Sequence, residues 1–142
     1  MDRRLFSAIL LAAGARLFSR AATVPSGPIS VKGKLVQRKD GPAVLLTDDG
    51  KEIKLSGDED TQKVLHDPRL ANVQLEALGH YSGPDQFAIG PIFEKNMFVM
   101  KDGKRLRITY WCDVCSIRTY APGVCVCCQK WTDLDLRDPN QE

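Results

Sequence analysis

The sequence predicts a mainly β protein with one short helix and a C-terminal β-hairpin that carries a cluster of cysteines. Three Asp-Gly dipeptides, at positions 40–41, 49–50 and 102–103, separate segments in which apolar and polar residues alternate. Because Asp-Gly supplies the positive φ angles of a tight turn, each dipeptide indicates a hairpin. All five cysteines lie between positions 112 and 128, so a cysteine-rich part follows the strands.

Seven strands are predicted from this alternation and from the turns between them. In chain order they cover residues 30–38, 43–47, 51–55, 72–80, 86–93, 97–100 and 105–111. A helix is predicted over residues 58–66, where Ser56 and Glu59 fit a capping box and an Asp-Pro dipeptide follows. It falls between the third and fourth strands, with Val64 and Leu65 as its main apolar anchors.

Over residues 29–94 the elements follow the order strand, strand, strand, helix, strand, strand. This order resembles the OB-fold, a five-stranded β-barrel with a helix between its third and fourth strands. Gly33 in the first strand is compatible with the sharp bend that such a barrel needs. The resemblance implies a small OB-like five-stranded barrel. A generic antiparallel sandwich or an SH3-like barrel is the alternative.

The charge and the aromatic content of this region argue against a nucleic-acid role. OB-folds that bind single strands stack bases on aromatic side chains in a basic groove. Residues 29–100 hold nine basic and eleven acidic residues, and the predicted barrel has only Tyr81, Phe87 and Phe93 as aromatics. We assign these three side chains to the core or its rim. The expected partner is an unidentified protein or small molecule, and nucleic acid is not expected.

The cysteines form two Cys-x-x-Cys pairs, Cys112 with Cys115 and Cys125 with Cys128, and Cys127 is left over. Each pair places two sulfur atoms on one turn, and two such turns can offer four thiolates at the corners of a tetrahedron. The spacing therefore predicts a metal site formed by these four residues. Cys127 is an alternative ligand or a free thiol.

The segment 97–133 resembles a zinc ribbon or the closely similar pair of knuckles in rubredoxin. Asp113, Val114 and Ser116 stand where those knuckles commonly have Pro and Gly, which leaves the metal open. Zinc held by four thiolates would be structural, because no coordination position stays free. Iron would instead allow electron transfer. Disulfides, or Cu(I) bound by the dense cysteine run, are the other interpretations.

Four apolar side chains flank the cysteines. Trp111, Ile117 and Val124 are expected to pack around the site, and the alternative for Trp111 is that it anchors the C-terminal segment to the barrel. Trp131 belongs to the same set by position, but the interpretation that we favour is that it anchors the C-terminal segment to the barrel.

No catalytic group is predicted. The chain has two histidines, His66 and His80, which fall at the ends of a predicted helix and a predicted strand and are assigned to surface or capping positions. The sequence contains no glycine-rich phosphate loop, and no Ser-His-Asp set can be argued. We therefore do not expect an enzyme.

The first 22 residues are predicted to be a signal peptide. Two arginines at 3 and 4 precede an apolar run over residues 5–15, and the small residues Ala13, Ala15, Ala21 and Ala22 suit cleavage by a signal peptidase. The run of about eleven residues is shorter than the roughly 20 that a membrane span requires, so no stable transmembrane segment is expected. An ordinary secretory signal or an uncleaved membrane anchor is the alternative to a twin-arginine signal.

The stretch over residues 3–6 reads Arg-Arg-Leu-Phe and resembles the core of a twin-arginine signal. Asp2 stands where Ser or Thr is usual in such signals, and Ala8 where Lys is frequent. The resemblance implies export, to the periplasm or the outside of a bacterial cell, by a route that carries folded proteins.

The predicted organisation has five parts. They are a signal peptide (1–22), a linker (23–28), an OB-like barrel (29–94), a β-hairpin with the four-cysteine knuckle (95–133) and a flexible tail (134–142). The expected protein is an exported, non-catalytic binding or assembly module with a structural zinc. An electron-transfer or thiol-redox protein, or a carrier of Cu(I), is the alternative.

Overall fold

Nine β-strands dominate the computed structural model, which describes residues 27–141. The strands are β1 (Ile29–Val36), β2 (Val44–Leu46), β3 (Glu52–Ser56), β4 (Gln74–Gly83), β5 (Gln86–Ile89), β6 (Met97–Lys101), β7 (Lys104–Cys112), β8 (Ile117–Thr119) and β9 (Asp133–Arg137). The helices are α1 (Glu59–Leu65) and α2 (Phe93–Asn96), with 3₁₀ turns at Pro68–Leu70 and Pro139–Gln141. The predicted signal peptide and residues 23–26 of the predicted linker lie outside the described residues.

The first five strands close into a barrel. Their hydrogen-bonded order is β1-β2-β3-β5-β4, and β4 returns to pair with β1 from Gln74 opposite Lys34 to Gly79 opposite Ile29. The pairing of β3 with β5 is parallel, and the other pairings in the barrel are antiparallel. This closure, with α1 between β3 and β4, confirms the predicted OB-like five-stranded barrel.

The barrel closes tightly because two strand positions lack a side chain. A Cβ built on Gly33 in β1 would lie 2.4 Å from the carbonyl oxygen of Leu46. A Cβ on Gly79 in β4 would lie 1.9 Å from the carbonyl oxygen of Ala88. Both distances are far below van der Waals contact, so glycine lets the neighbouring strands approach at these two points.

Replacing Gly79 with alanine is expected to lower the free energy of unfolding by about 3 kcal/mol, because β4 and β5 must separate to admit the methyl group. Chemical denaturation of the variant and the wild type measures the difference. Gly41→Ala is the matched control, since a Cβ there meets nothing within 4 Å. Equal losses in the two variants would contradict this account of the barrel closure.

Helix α1 covers the predicted segment but begins differently. Asp58, not Ser56, is the N-cap, and its side chain accepts a hydrogen bond of 2.8 Å from the backbone N–H of Thr61. The predicted capping box is therefore wrong. His66 lies at the C-cap, with its Nδ1 2.9 Å from the carbonyl oxygen of Gln62, and His80 is exposed. Among residues 27–141 no helix has the length and hydrophobicity needed to cross a membrane.

Strands β6 to β9 extend the barrel sheet. Strand β6 pairs with the first half of β4, and β7 pairs with β6 through its own first half. Beyond that point β7 lies between β8 on one edge and β9 on the other. One face of this extension, including Ile108 and Tyr110, completes the barrel core. The cysteine-bearing segment is thus attached to the barrel through a shared sheet.

The prediction of a flexible tail over residues 134–142 is wrong for residues 134–137. They belong to β9, which pairs with β7 from Asp133 opposite Trp111 to Arg137 opposite Arg107. Leu134 and Leu136 are half-buried against the core. Burial of these two side chains and the backbone pairing hold the segment in place.

Candidate metal centre

The first cysteine pair lies on the turn between β7 and β8. Cys112 is the last residue of β7 and pairs with Ile117, the first residue of β8. The backbone N–H of Cys115 points to the Sγ of Cys112 at 3.5 Å, as in knuckles that donate N–H groups to thiolates. Ser116 follows with a φ of 54°, which turns the chain into β8.

The second pair lies on a narrow loop closed by backbone hydrogen bonds. Val124 and Trp131 form an isolated antiparallel bridge, and the N–H of Cys125 donates to the carbonyl oxygen of Lys130 at 2.8 Å. Inside this loop the N–H of Cys127 points to the Sγ of Cys125 at 3.4 Å. Gln129 has a φ of 60°, so both pairs are followed by a left-handed residue.

The left-handed residue after each cysteine pair occupies a position that favours glycine. Ser116 and Gln129 adopt the backbone that glycine adopts at no steric cost, and a residue with a Cβ loses roughly 1–2 kcal/mol there. Both cysteine pairs are therefore followed by a left-handed backbone, although neither left-handed residue is glycine.

Replacing Ser116 with glycine is expected to stabilise the metal-loaded protein by about 1 kcal/mol, because the left-handed strain is removed. Thermal unfolding measures the shift. Asp113→Gly is the control, since Asp113 lies in the same turn outside the left-handed region and the added chain freedom should only destabilise. A Ser116→Gly protein less stable than the wild type would contradict the interpretation of this turn.

The structure brings together the four cysteines that the spacing selects. The Sγ atoms of Cys112, Cys115, Cys125 and Cys128 all lie within 4.8 Å of one another, and those of Cys112 and Cys128 are 3.5 Å apart. Sulfurs around a zinc ion at about 2.3 Å would be roughly 3.8 Å apart, so this donor set fits a tetrahedral thiophilic metal. The four cysteines are positioned to bind a metal ion, and the fifth, Cys127, is exposed outside this group.

All five cysteines are free thiols. The separation of 3.5 Å between the sulfurs of Cys112 and Cys128 is well beyond the roughly 2.05 Å of a disulfide bond.

The thiols differ in their readiness to ionise. The backbone N–H groups of Cys128 and Cys127 lower the pKa of Cys125 to about 7, against the opposing effect of burial. The pKa of Cys115 is raised, first by a hydrogen bond with the thiol of Cys127 and then by burial. For Cys112 the N–H of Cys115 lowers the pKa, but burial and two neighbouring thiols raise it more. A bound cation would displace the remaining protons, since metals bind thiolates.

The apolar side chains that flank the cysteines differ in their exposure to solvent. Trp111 is half-buried, and the guanidinium of Arg118 lies 5.0 Å from its ring centroid. Ile117 is half-buried, whereas Val124 is 53% exposed. Trp131 is 73% exposed, so the prediction that it anchors the C-terminal segment is wrong.

A polar network ties the second knuckle to the barrel instead. Arg69 donates from Nη1 to the carbonyl oxygen of Thr132 at 2.7 Å and binds the carboxylate of Asp67 through Nε and Nη2, both at 3.0 Å. The hydroxyl of Tyr110 donates to the same carboxylate at 2.8 Å, and Arg69 lies 5.1 Å from its ring centroid. Asp67 and Tyr110 are buried. This network links the turn after α1, β7 and the chain that leaves the second knuckle.

The sequence does not predict this network. Its pattern marks Asp67 only as part of the dipeptide that ends a helix and indicates no role for Arg69. The partners lie as many as 63 residues apart in the chain, and no local pattern marks them.

The fold and the site together define a small closed β-barrel protein with an appended four-cysteine group positioned to bind a metal ion. Comparisons with protein-family models, with curated proteins and with solved structures find no match to this chain.

Proposed function

We propose that the protein is an exported, non-catalytic binding or assembly module in which four cysteines hold a structural zinc ion. The ligands are Cys112, Cys115, Cys125 and Cys128. The zinc would join the β7–β8 turn to the loop around Cys125 and so fix the shape of a segment that the barrel presents at one end of its sheet.

The observation that carries the proposal is a closed set of four thiols in a segment with almost no core. Within residues 112–132, all of which the structure describes, only Cys112, Cys125 and Thr132 are buried. Two of these three side chains are members of the proposed ligand set. A segment of this kind cannot be stabilised by apolar burial, and four thiolates around one zinc supply the missing free energy.

A structural role agrees with the donor set. Four protein ligands fill the tetrahedral coordination of zinc and leave no position for a substrate or water. The same ligands suit iron, which would give a coloured, redox-active protein. The proposal of zinc therefore predicts that the purified protein has no visible colour.

The export part of the proposal rests on residues 1–22. Arg3, Arg4 and the following apolar run support a twin-arginine route, which carries folded proteins. A site loaded and closed before export would keep its thiols from oxidation. Replacing both arginines with lysine should leave the full-length protein in the cytoplasm, whereas lysine substitutions at Arg16 and Arg20 should not. Unchanged export of the first variant would refute this route.

Chelation tests the structural role. Addition of a zinc chelator to the purified, colourless protein should raise amide hydrogen exchange across residues 112–132 strongly, and zinc should restore protection. Amides of the barrel core, for example in β1 and β4, serve as the internal control. Exchange that is the same with and without chelator would exclude a structural metal. Visible colour that bleaches reversibly on reduction would replace it with an electron-transfer function.

A further inference from the structure

A second site lies at the other end of β7 from the cysteines. It is a cavity of about 580 Å³ formed by α2, the β6–β7 turn and the 3₁₀ turn at Pro139–Gln141. Lys104 at the start of β7 lines it, while Cys112 ends the same strand. At about 3.3 Å per residue the two sites are roughly 26 Å apart, so they are chemically independent. The volume lies within the roughly 300–1,000 Å³ of small-molecule pockets.

Four cationic side chains converge on this cavity. They are Lys95 of α2 and Lys104, Arg105 and Arg107 of β7. The lining also holds two carboxylates, of Glu94 and Asp138, so its cationic groups outnumber its anionic ones by two to one.

Two of these charged groups have partners within the protein. The Oδ1 of Asp138 accepts a hydrogen bond of 2.9 Å from the backbone N–H of Asn140, which leaves its negative charge in place. The guanidinium of Arg105 is paired with the carboxylate of Glu76, so Lys95, Lys104 and Arg107 supply the positive charge that is not offset by Glu76.

Arg105 is held in place by contacts with the sheet beneath it. Arg105 donates from Nε to the buried carboxylate of Glu76 at 2.9 Å, and its guanidinium lies 5.2 Å from the ring centroid of Phe98. Arg107 lies on the same side of β7, two residues on, and is opposite Phe98 in the strand register. Pre-positioned guanidinium groups lose less conformational entropy on binding an anion than free ones do.

We infer that this cavity is a binding site for a small molecule carrying a phosphate or carboxylate group. Arginine and lysine side chains recognise both groups through charge-assisted hydrogen bonds, and arginine does so with two parallel bonds. The ligand of the proposed binding module would then be a small anionic molecule. The inference rests on the module being a binding protein but does not require the metal.

The test is an NMR titration of the metal-loaded protein with sodium phosphate and, separately, with sodium acetate, each against sodium chloride at equal ionic strength. Saturable shifts should be confined to amides of residues 94–107 and 138–140, and the tighter of the two probes identifies the group preferred. Lys95→Ala combined with Lys104→Ala should weaken binding by about tenfold. Both lysines are exposed, so the fold should persist.

Lys101→Ala is the matched control, because Lys101 is an exposed lysine of the same hairpin and does not line the cavity. Shifts that do not saturate, that match those in chloride, or that persist unchanged in the double variant would overturn the inference. Metal content is measured on the same samples. A protein that retains its metal but binds neither probe refutes the anion site and leaves the structural metal standing.

Discussion

Cys125→Ser is expected to weaken metal binding strongly, whereas Cys127→Ser should leave the affinity for the metal unchanged. Cys125 is fully buried and belongs to the group of four sulfurs within 4.8 Å of one another. Loss of one ligand leaves three thiolates and an incomplete tetrahedron. The affinity should fall by roughly a hundredfold or more, since loss of groups that only support ligands already costs 10–100-fold. Competition with a coloured chelator measures both variants.

The two substitutions are matched, because each replaces a sulfur by an oxygen on the same loop two residues apart. Cys127 is exposed and outside the group, so its replacement tests the general effect of a serine there. Equal loss of metal in both variants would mean that Cys127 is a ligand and that the assignment from spacing fails. Retention of full affinity by Cys125→Ser would remove the metal centre altogether.

Asp67→Ala is expected to lower the free energy of unfolding by about 3 kcal/mol. The substitution removes the acceptor of the buried Tyr110 hydroxyl and the partner of the Arg69 guanidinium. A buried donor without an acceptor is costly, and most of the expected loss comes from the Tyr110 hydroxyl, because the Arg69 side chain is 36% exposed and can be hydrated. Because Arg69 also holds the carbonyl of Thr132, the variant should release its metal faster than the wild type. Denaturation and the rate of metal transfer to a chelator measure the two effects.

Asp60→Ala is the control for this experiment, since Asp60 is an exposed acid of α1 and its loss should change stability by less than about 0.5 kcal/mol. Tyr110→Phe should cost about 1 kcal/mol, because the Asp67 carboxylate keeps its bonds to Arg69. If Asp67→Ala destabilises the protein no more than Asp60→Ala does, the network does not support the knuckle.

The same network predicts a pH dependence. Burial raises the pKa of Asp67, but hydrogen bonds from Arg69 and Tyr110 lower it more, so the net pKa is below the ordinary 3.8. A carboxyl whose pKa is lowered on folding stabilises the protein above its ordinary pKa and loses that contribution as the pH falls. The stability difference between the wild type and Asp67→Asn should therefore shrink below about pH 3.8. A stability difference that stays constant as the pH falls would contradict the lowered pKa of Asp67.

The hairpins could be predicted because their signal is local. Asp102 and Gly103 have φ angles of 52° and 74° between β6 and β7, which are the angles of the primed turn that the dipeptide indicates. Gly50 has a φ of 83° between β2 and β3. The Asp-Gly at 40–41 lies in a longer connection, so it marks the end of β1 without forming such a turn itself.

The barrel closure could be reached only by resemblance. Pairing of β1 with β4 and the parallel pairing of β3 with β5 join residues that are distant in the chain, and no turn residue encodes either. The order of elements was therefore the main signal for the closure. Gly33 was a second signal, because a side chain there would clash where β1 approaches Leu46.

The error at the C-terminus has a different cause. Leu134 and Leu136 alternate with charged residues, which is the pattern of a half-buried strand. The position of this segment at the chain end favoured a flexible tail. No local feature of the sequence shows that the segment pairs with the free edge of β7 as β9. The alternating leucines were the signal that could have found this strand.

At the cysteine site the spacing predicted which thiols meet but not what surrounds them. A Cys-x-x-Cys pair fixes two sulfurs on one turn, so the spacing alone selects Cys112 with Cys115 and Cys125 with Cys128. The exposure of Trp131 and the role of Arg69 depend on how the barrel meets the knuckle. Tertiary contacts of that kind leave no trace in local sequence.

The most direct test of the account is the metal content of the exported protein together with the number of thiols that react under native conditions. We expect one zinc ion per chain. One thiol, that of Cys127, should react in the native protein, and all five should react after denaturation with a chelator. Five thiols reacting at once in a native protein without metal would contradict the central claim. Intramolecular disulfides in that protein would do so equally.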